Sequence, residues 1–279
     1  MTKYFPDRIS MLDYHVHTSL CNHANGTMEA YIRQGIAAGL SEICFLDHLT
    51  LHERGRHMSM APSDVPLYYQ TIRRLGQTYK TDIQVKAGLE IDYDPQNAPE
   101  IKKIIQPYDF DVIGGSVHFI DQINIVSSKD TKLREQETID VICTDYLLLM
   151  QEMIDTMPFD IICHLDVTKK FGRRPSLKVR EKFEDILSLI RYKNLAVELN
   201  TSGFNHAANE FYPDPDLLKK CFEKNIRVTL GSDAHEPAQV ARHFDVAMAL
   251  LAETGYTAIT AFYRRAPYDV PLPAPDPKL

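Results

Sequence analysis

The sequence predicts an α/β protein, a parallel barrel of alternating strands and helices over residues 1–279, with its chemistry gathered at one end. Short apolar runs alternate with longer segments of helical periodicity along most of the chain. No linker, repeat or low-complexity stretch divides the 279 residues, a length at which one barrel can bury a full core. Histidines and acids recur at the C-terminal ends of the apolar runs, where the loops of a parallel barrel converge.

The first run, Ile9 to Leu12, leads into Asp13-Tyr14-His15-Val16-His17-Thr18. Strand alternation puts His15 and His17 on one face and Val16 on the other. His23 follows. Thr27 is placed to cap a helix carrying Met28, Tyr31, Ile32 and Ile36, which Gly39 ends. The second strand, Ile43 to Leu46, delivers Asp47-His48. A helix over Val65 to Tyr79 leads to the strand Ile83 to Ile91, which carries Glu90, and a short helix is expected within Pro95 to Gln106. Val112 and Ile113 open a fourth strand that runs to His118.

Residues 119–135 are polar and irregular, and a hairpin over the barrel mouth is expected there. A long helix should span Glu137 to Met157. The strand Phe159 to Cys163 ends at His164, and Phe183, Ile186, Leu187 and Ile190 mark the next helix. Leu195 to Leu199 is the sixth strand. Asp214-Pro215 reads as cap and first residue of a helix bearing Leu217, Leu218, Cys221 and Phe222. Ile226 to Leu230, the seventh strand, delivers Asp233 and His235. Val240, Phe244, Ala247, Met248 and Leu251 define a last helix before Gly255, and the proline-rich tail from Pro267 is expected to be extended and to add little.

Composition narrows the function. A formal charge of −7 argues against a broad nucleic-acid footprint, though not against a locally positive pocket. Five cysteines without CxxC spacing suggest free thiols in a reducing compartment. The start lacks a signal-peptide pattern and no transmembrane-length run follows, so a cytoplasmic protein without a membrane partner is expected. The sequence is silent on oligomeric state.

One rule collects His15, His17, His23, His48, Glu90, His118, His164, Asp233 and His235, including seven of the eleven histidines. Each lies at or just past a strand's C-terminal end. Nine side chains exceed what one zinc takes and suit two or three ions, with Glu90 placed to bridge. Imidazole with two carboxylates suits zinc, iron or manganese and disfavours calcium. Cys21, among these histidines, is a further candidate ligand. Several divalent ions leave the pocket positive, which suits a small phosphate monoester. A bound water with its pKa lowered to ~7 supplies hydroxide, and the metals clamp the phosphoryl and leaving oxygens.

Asp13-Tyr14-His15-Val16-His17-Thr18, Asp47-His48, Gly88-Leu89-Glu90, Ser116-Val117-His118, Cys163-His164-Leu165-Asp166 and Gly231-Ser232-Asp233-Ala234-His235 resemble the polymerase and histidinol phosphatase (PHP) superfamily of metal-dependent phosphoesterases. The resemblance implies a distorted, TIM-like (β/α)7 barrel with a trinuclear site. It implies His15, His17, Glu90 and Asp233 on one ion, Glu90, His118 and His164 on a second, and His23, His48 and His235 on the third. The segments His164 to Gly172 and Glu198 to Gly203 are similar to those of the superfamily's stand-alone members that hydrolyse L-histidinol phosphate to L-histidinol and phosphate. Those members often carry a basic residue soon after Thr-Ser-Gly, where this chain has Phe204-Asn205-His206. Alternatives are a phosphatase acting on phosphotyrosine or nucleotide phosphates, an exonuclease, and a metal-stabilised binding module without catalysis.

Lys169, Lys170, Arg173 and Arg174 follow His164 and either reach the phosphate or form a solvated basic loop. Lys170, Arg173, Arg174 and His206 are the substrate-contact candidates. Asp13, Asp47 and Asp166 adjoin the ligands and can orient imidazoles or cap turns. His52, Arg54, Arg56 and His57 can contribute to a lid, with solvent exposure the default for both histidines, and His243 is expected at the surface.

Overall fold

The structure, a computed structural model, describes residues 11–133 and 139–272. Ile9 and Ser10 of the first run, Glu137 and Thr138 of the long helix and the tail beyond residue 272 lie outside the described residues. β1 (Met11–Val16), α1 (Met28–Ala37), β2 (Leu40–Leu49), α2 (Val65–Thr78), β3 (Gln84–Asp92), α3 (Ala98–Ile105) and β4 (Val112–Ser116) form the first half. A small hairpin, β5 (Phe119–Ile120) and β6 (Ile123–Asn124), precedes α4 (Ser128–Leu133) and α5 (Ile139–Thr156). The second half holds β7 (Ile161–Ile162), α6 (Leu177–Glu181), α7 (Phe183–Tyr192), β8 (Ala196–Asn200), α8 (Pro215–Glu223), β9 (Arg227–Gly231) and α9 (Phe244–Thr254).

Seven parallel strands run in the order β1-β2-β3-β4-β7-β8-β9. The ends of this sheet meet through a parallel bridge between Val16 and Ala234, where His17 N donates to Ala234 O at 3.0 Å. The sheet is therefore a distorted seven-stranded barrel. Register fixes what its mouth contains: His48 lies opposite Glu90, so β2 and β3 raise their candidate ligands to one level, while β4 presents Gly114 there and the chain reaches His118 just past its end.

Local chemistry explains the helices. The Thr27 side chain accepts from Ala30 N and caps α1, and the Asp214 carboxylate accepts from Leu217 N and caps α8. Phe183, Ile186, Leu187 and Ile190 are buried on one face of α7, each worth roughly 1.5–3 kcal/mol of transfer free energy. Val240 lies before α9, which starts at Phe244.

The tail departs from expectation. β10 (Ala258–Tyr263) and β11 (Ala266–Pro271) form an antiparallel hairpin, so the segment from Pro267 belongs to the fold. The hairpin closes the N-terminal end of the barrel. Tyr14 OH donates to Glu42 Oε2 at 2.7 Å and accepts from Phe262 N at 2.9 Å. Lys86 Nζ lies 3.5 Å from Glu42 and donates to Tyr268 OH at 3.1 Å, and Tyr268 OH donates to Glu42. Arg264 N donates to Asp111 Oδ1, and Arg265 pairs with Asp160. Proline had masked the strand: it removes backbone donors, but Pro267 and Pro271 sit on an edge strand, where that is tolerated.

Candidate metal centre

Glu90 is the hub of the barrel mouth. Its Oε2 lies 2.8 Å from His48 Nδ1, 3.2 Å from His15 Nε2 and 3.7 Å from His17 Nε2. Its Oε1 lies 2.8 Å from His164 Nε2 and 3.7 Å from His118 Nε2, and it accepts from Ser116 Oγ. Asp233 Oδ1 sits 3.0 Å from His17 Nε2 and 4.0 Å from His15 Nε2. His23 Nε2 and His235 Nε2 face each other at 2.9 Å, and His17 stacks on His235 with ring centroids 4.0 Å apart. All nine sequence-derived candidates are thus neighbours at one site.

Hydrogen bonds behind the rings set the tautomers. His15 Nδ1 donates to Glu198 Oε1 at 2.6 Å, and His17 Nδ1 lies 3.3 Å from Asp47 Oδ1. His23 Nδ1 donates to Cys21 O at 2.8 Å, and His235 Nδ1 to Asp233 O at 3.1 Å. Each of these bonds leaves the ring's Nε2 turned inward, where it carries a lone pair whenever the imidazole is neutral. The Nε2 atoms of His15 and His17 then meet carboxylate oxygens, and those of His23 and His235 meet each other. Acceptors facing acceptors repel unless cations lie between them, and the donor set fits divalent metal ions. Three groupings, His15-His17-Asp233, His17-His48-His235 and Cys21-His23-His235, each place their donor atoms within 4.8 Å of one another.

The electrostatics agree. Burial, aided by His48, pulls His23 down to about 4, and burial also holds His118 and His235 well below the usual imidazole range. These rings are neutral near pH 7, the form that ligates. Burial opposes charge on His15, but Glu198, Glu90 and Asp233 outweigh it and raise its pKa, so in the cation-free protein a proton supplies positive charge there. Metal binding would displace such protons. Burial, with Asp47 adding to it, pushes the Cys21 thiol up to about 12.

Two backbone features hold the ligands. His164 (φ +28°) and Asp233 (φ +52°) adopt left-handed conformations that non-glycine residues rarely take. Gly231 allows Glu198 to reach His15: a Cβ there would lie 2.0 Å from Glu198 Oε1. Gly203 likewise lets the Tyr212 ring and the Glu210 carbonyl approach, at 3.1 Å and 2.0 Å from such a Cβ. Its neighbour Ser202 donates to Asp233 Oδ2 at 3.1 Å.

A cavity of about 870 Å³ opens over these ligands, and Lys170 and His206 line it. Arg173 and Arg174 do not. Arg174 Nη2 pairs with Glu210 at 2.6 Å and Nη1 with Asp214 at 3.6 Å, beside a separate cavity of about 430 Å³. Lys169 is buried among Asp166, Glu210 and the Phe211 carbonyl. Asp47 orients His17 as expected. Asp13 instead accepts from Ser232 N and Ala241 N, and Asp166 from Lys169 and Asp214 N, so neither holds an imidazole. His52 departs from the exposure expected of it. It is buried, stacked on Phe119 at 4.3 Å, and donates Nε2–H to Asp121 O, docking its loop onto the β5–β6 hairpin. His57 is exposed, and exposed His243 stands on the cavity wall.

Residues 13–202 match the PHP domain family model. The chain is 31% identical over 256 residues to a probable histidinol-phosphatase of Deinococcus radiodurans, a match covering 91% of this chain and 98% of that one. The chain belongs to the PHP family. A histidinol-phosphatase of Lactococcus lactis is 30% identical over 262 residues, 90% of this chain and 94% of its own. The crystal structure of the histidinol phosphate phosphatase from that organism, complexed with zinc, L-histidinol and phosphate, superposes with a TM-score of 0.82 at 27% identity, covering 93% of this chain and 99% of that one.

Asp233 and His235 lie beyond the matched stretch of this PHP chain, and barrel closure brings them to it. Sequence reasoning quoted Glu198 only within the segment Glu198 to Gly203, with no role of its own, and passed over Arg242. Glu198 had a visible signal, a lone acid inside the apolar run Leu195 to Leu199. Arg242 had none. It follows the last ligand by seven residues and reaches the cavity only because the loop before α9 folds back.

Proposed function

We propose that this chain, as a single barrel domain, hydrolyses L-histidinol phosphate to L-histidinol and phosphate for histidine biosynthesis. The observation that carries the reading is the convergence of five imidazoles on the two oxygens of Glu90, all within 3.7 Å. Its kinship to enzymes named for this substrate supports the choice of monoester. We assign three divalent ions, zinc with iron or manganese as alternatives, to the nine ligands. One ion falls to His15, His17, Glu90 and Asp233, one to Glu90, His118 and His164, and one to His23, His48 and His235. Five free, buried cysteines fit a reducing cytoplasm, and no helix among the described residues is long and apolar enough to cross a membrane.

Bound ions would supply positive charge for the phosphoryl oxygens and a water acidified toward neutrality. The chain's own groups do the rest. Glu90 and Asp233 offset part of that charge, while Glu198 and Asp47 keep the His15 and His17 lone pairs turned inward. Lys170, which burial makes easier to deprotonate, and His206 face the phosphate from the cavity wall. Phe119 and Val126, from the β5–β6 hairpin and the loop after it, provide an apolar flank for the leaving group.

Phosphate release from histidinol phosphate, phosphotyrosine and nucleoside monophosphates, before and after chelation, tests this. Histidinol phosphate should give the highest kcat/KM, and chelation should abolish turnover. Good hydrolysis of another monoester with none of histidinol phosphate would overturn the reading.

A further inference from the structure

Arg242 lies half-buried on the wall of the metal-site cavity. Its Nε donates to Ser232 O at 2.9 Å and its Nη2 to Asp233 O at 3.0 Å. These bonds fix the guanidinium and occupy two of its five N–H donors. The other three have no acceptor among the described residues. No carboxylate lies within ion-pair distance of it there, whereas Arg73, Arg174, Arg180 and Arg265 each hold one. The acids that act on it, Asp233 and Asp13, are already engaged by imidazoles and by backbone N–H groups. A guanidinium withdrawn from water without an anion is costly, and an anionic ligand removes the deficit. His206 and Lys170 line the same cavity, and His206 feels both Lys170 and Arg242.

We infer that Arg242 is a phosphate-binding residue: its free N–H groups donate to the phosphoryl oxygens of the bound monoester. The inference rests on the phosphatase reading. The same side chain shares the Asp233 carbonyl with His235 Nδ1, so the substrate contact and the ligand loop are braced together.

The test is calorimetric binding of inorganic phosphate to the zinc-loaded protein, with zinc per chain measured alongside. In Arg242→Ala the phosphate Kd and the KM for histidinol phosphate should each rise about tenfold with zinc content unchanged. A phosphate Kd within about twofold of wild type would overturn the inference. If Arg242→Ala loses zinc, Arg242→Lys and Arg242→Gln compared at full zinc occupancy decide. Weaker phosphate binding by the glutamine variant supports the contact, and equal binding by the two overturns it. Should wild type prefer another monoester, the substrate assignment falls, while the phosphate result still judges Arg242.

Discussion

The two ends of the barrel bury polar groups on opposite terms. At the floor, each charge meets a complement: Glu42 with Lys86, Tyr14 and Tyr268, Asp111 with Arg73, and Asp160 with Arg265. At the mouth, imidazole nitrogens face carboxylates and one another. A complete network stabilises the end it closes. One in which acceptors outnumber the donors is fitted to hold cations, because protons or metal ions from outside complete it. Burial therefore does not separate structural from functional polar residues here. The balance of donors and acceptors does.

The sharpest way to break this contrast is at Glu90. Glu90→Gln should lower kcat/KM on the order of a thousandfold and reduce metal per chain, since one carboxylate is shared by two of the three proposed ion sites. Steady-state kinetics with elemental analysis check it, and full metal occupancy would count against the shared role.

At the floor the effect should fall on stability alone. Lys86→Met leaves Glu42 buried without its cation and should destabilise by about 3–5 kcal/mol, read by urea unfolding. Metal content and kcat/KM of the folded protein should stay at wild-type values. A loss of metal would mean that the two ends are coupled.

The smallest effect belongs to the flank. Arg174 is half-exposed and paired with Glu210, so Arg174→Ala should cost under about 1 kcal/mol and leave KM within about twofold. A clear rise in KM would return Arg174 to the substrate site.

Strand and helix positions were largely legible because period-2 and period-3.6 patterns are local. β2, α1, α2 and α8 fall close to where their apolar spacing and caps placed them. The β10–β11 hairpin was not legible, because its pairing partner is a segment the prolines disguise. The candidate ligands were legible because histidines and acids recur after the apolar runs along the chain. Arg174 looked as eligible as Lys170, since both are basic and follow His164 closely. The turn through Val167–Lys169 sends one to the cavity and the other to Glu210.

By itself the sequence determined the alternation of strands and helices and the residue types available as ligands, both written in short-range spacing. Tertiary structure alone decided which lone pairs face which, that Glu198 stands behind His15, and that Arg242 reaches the cavity. The first two are contacts between strands far apart in the chain, made only once the barrel closes from β9 back onto β1, and the third follows from the loop before α9 folding back onto Ser232 and Asp233.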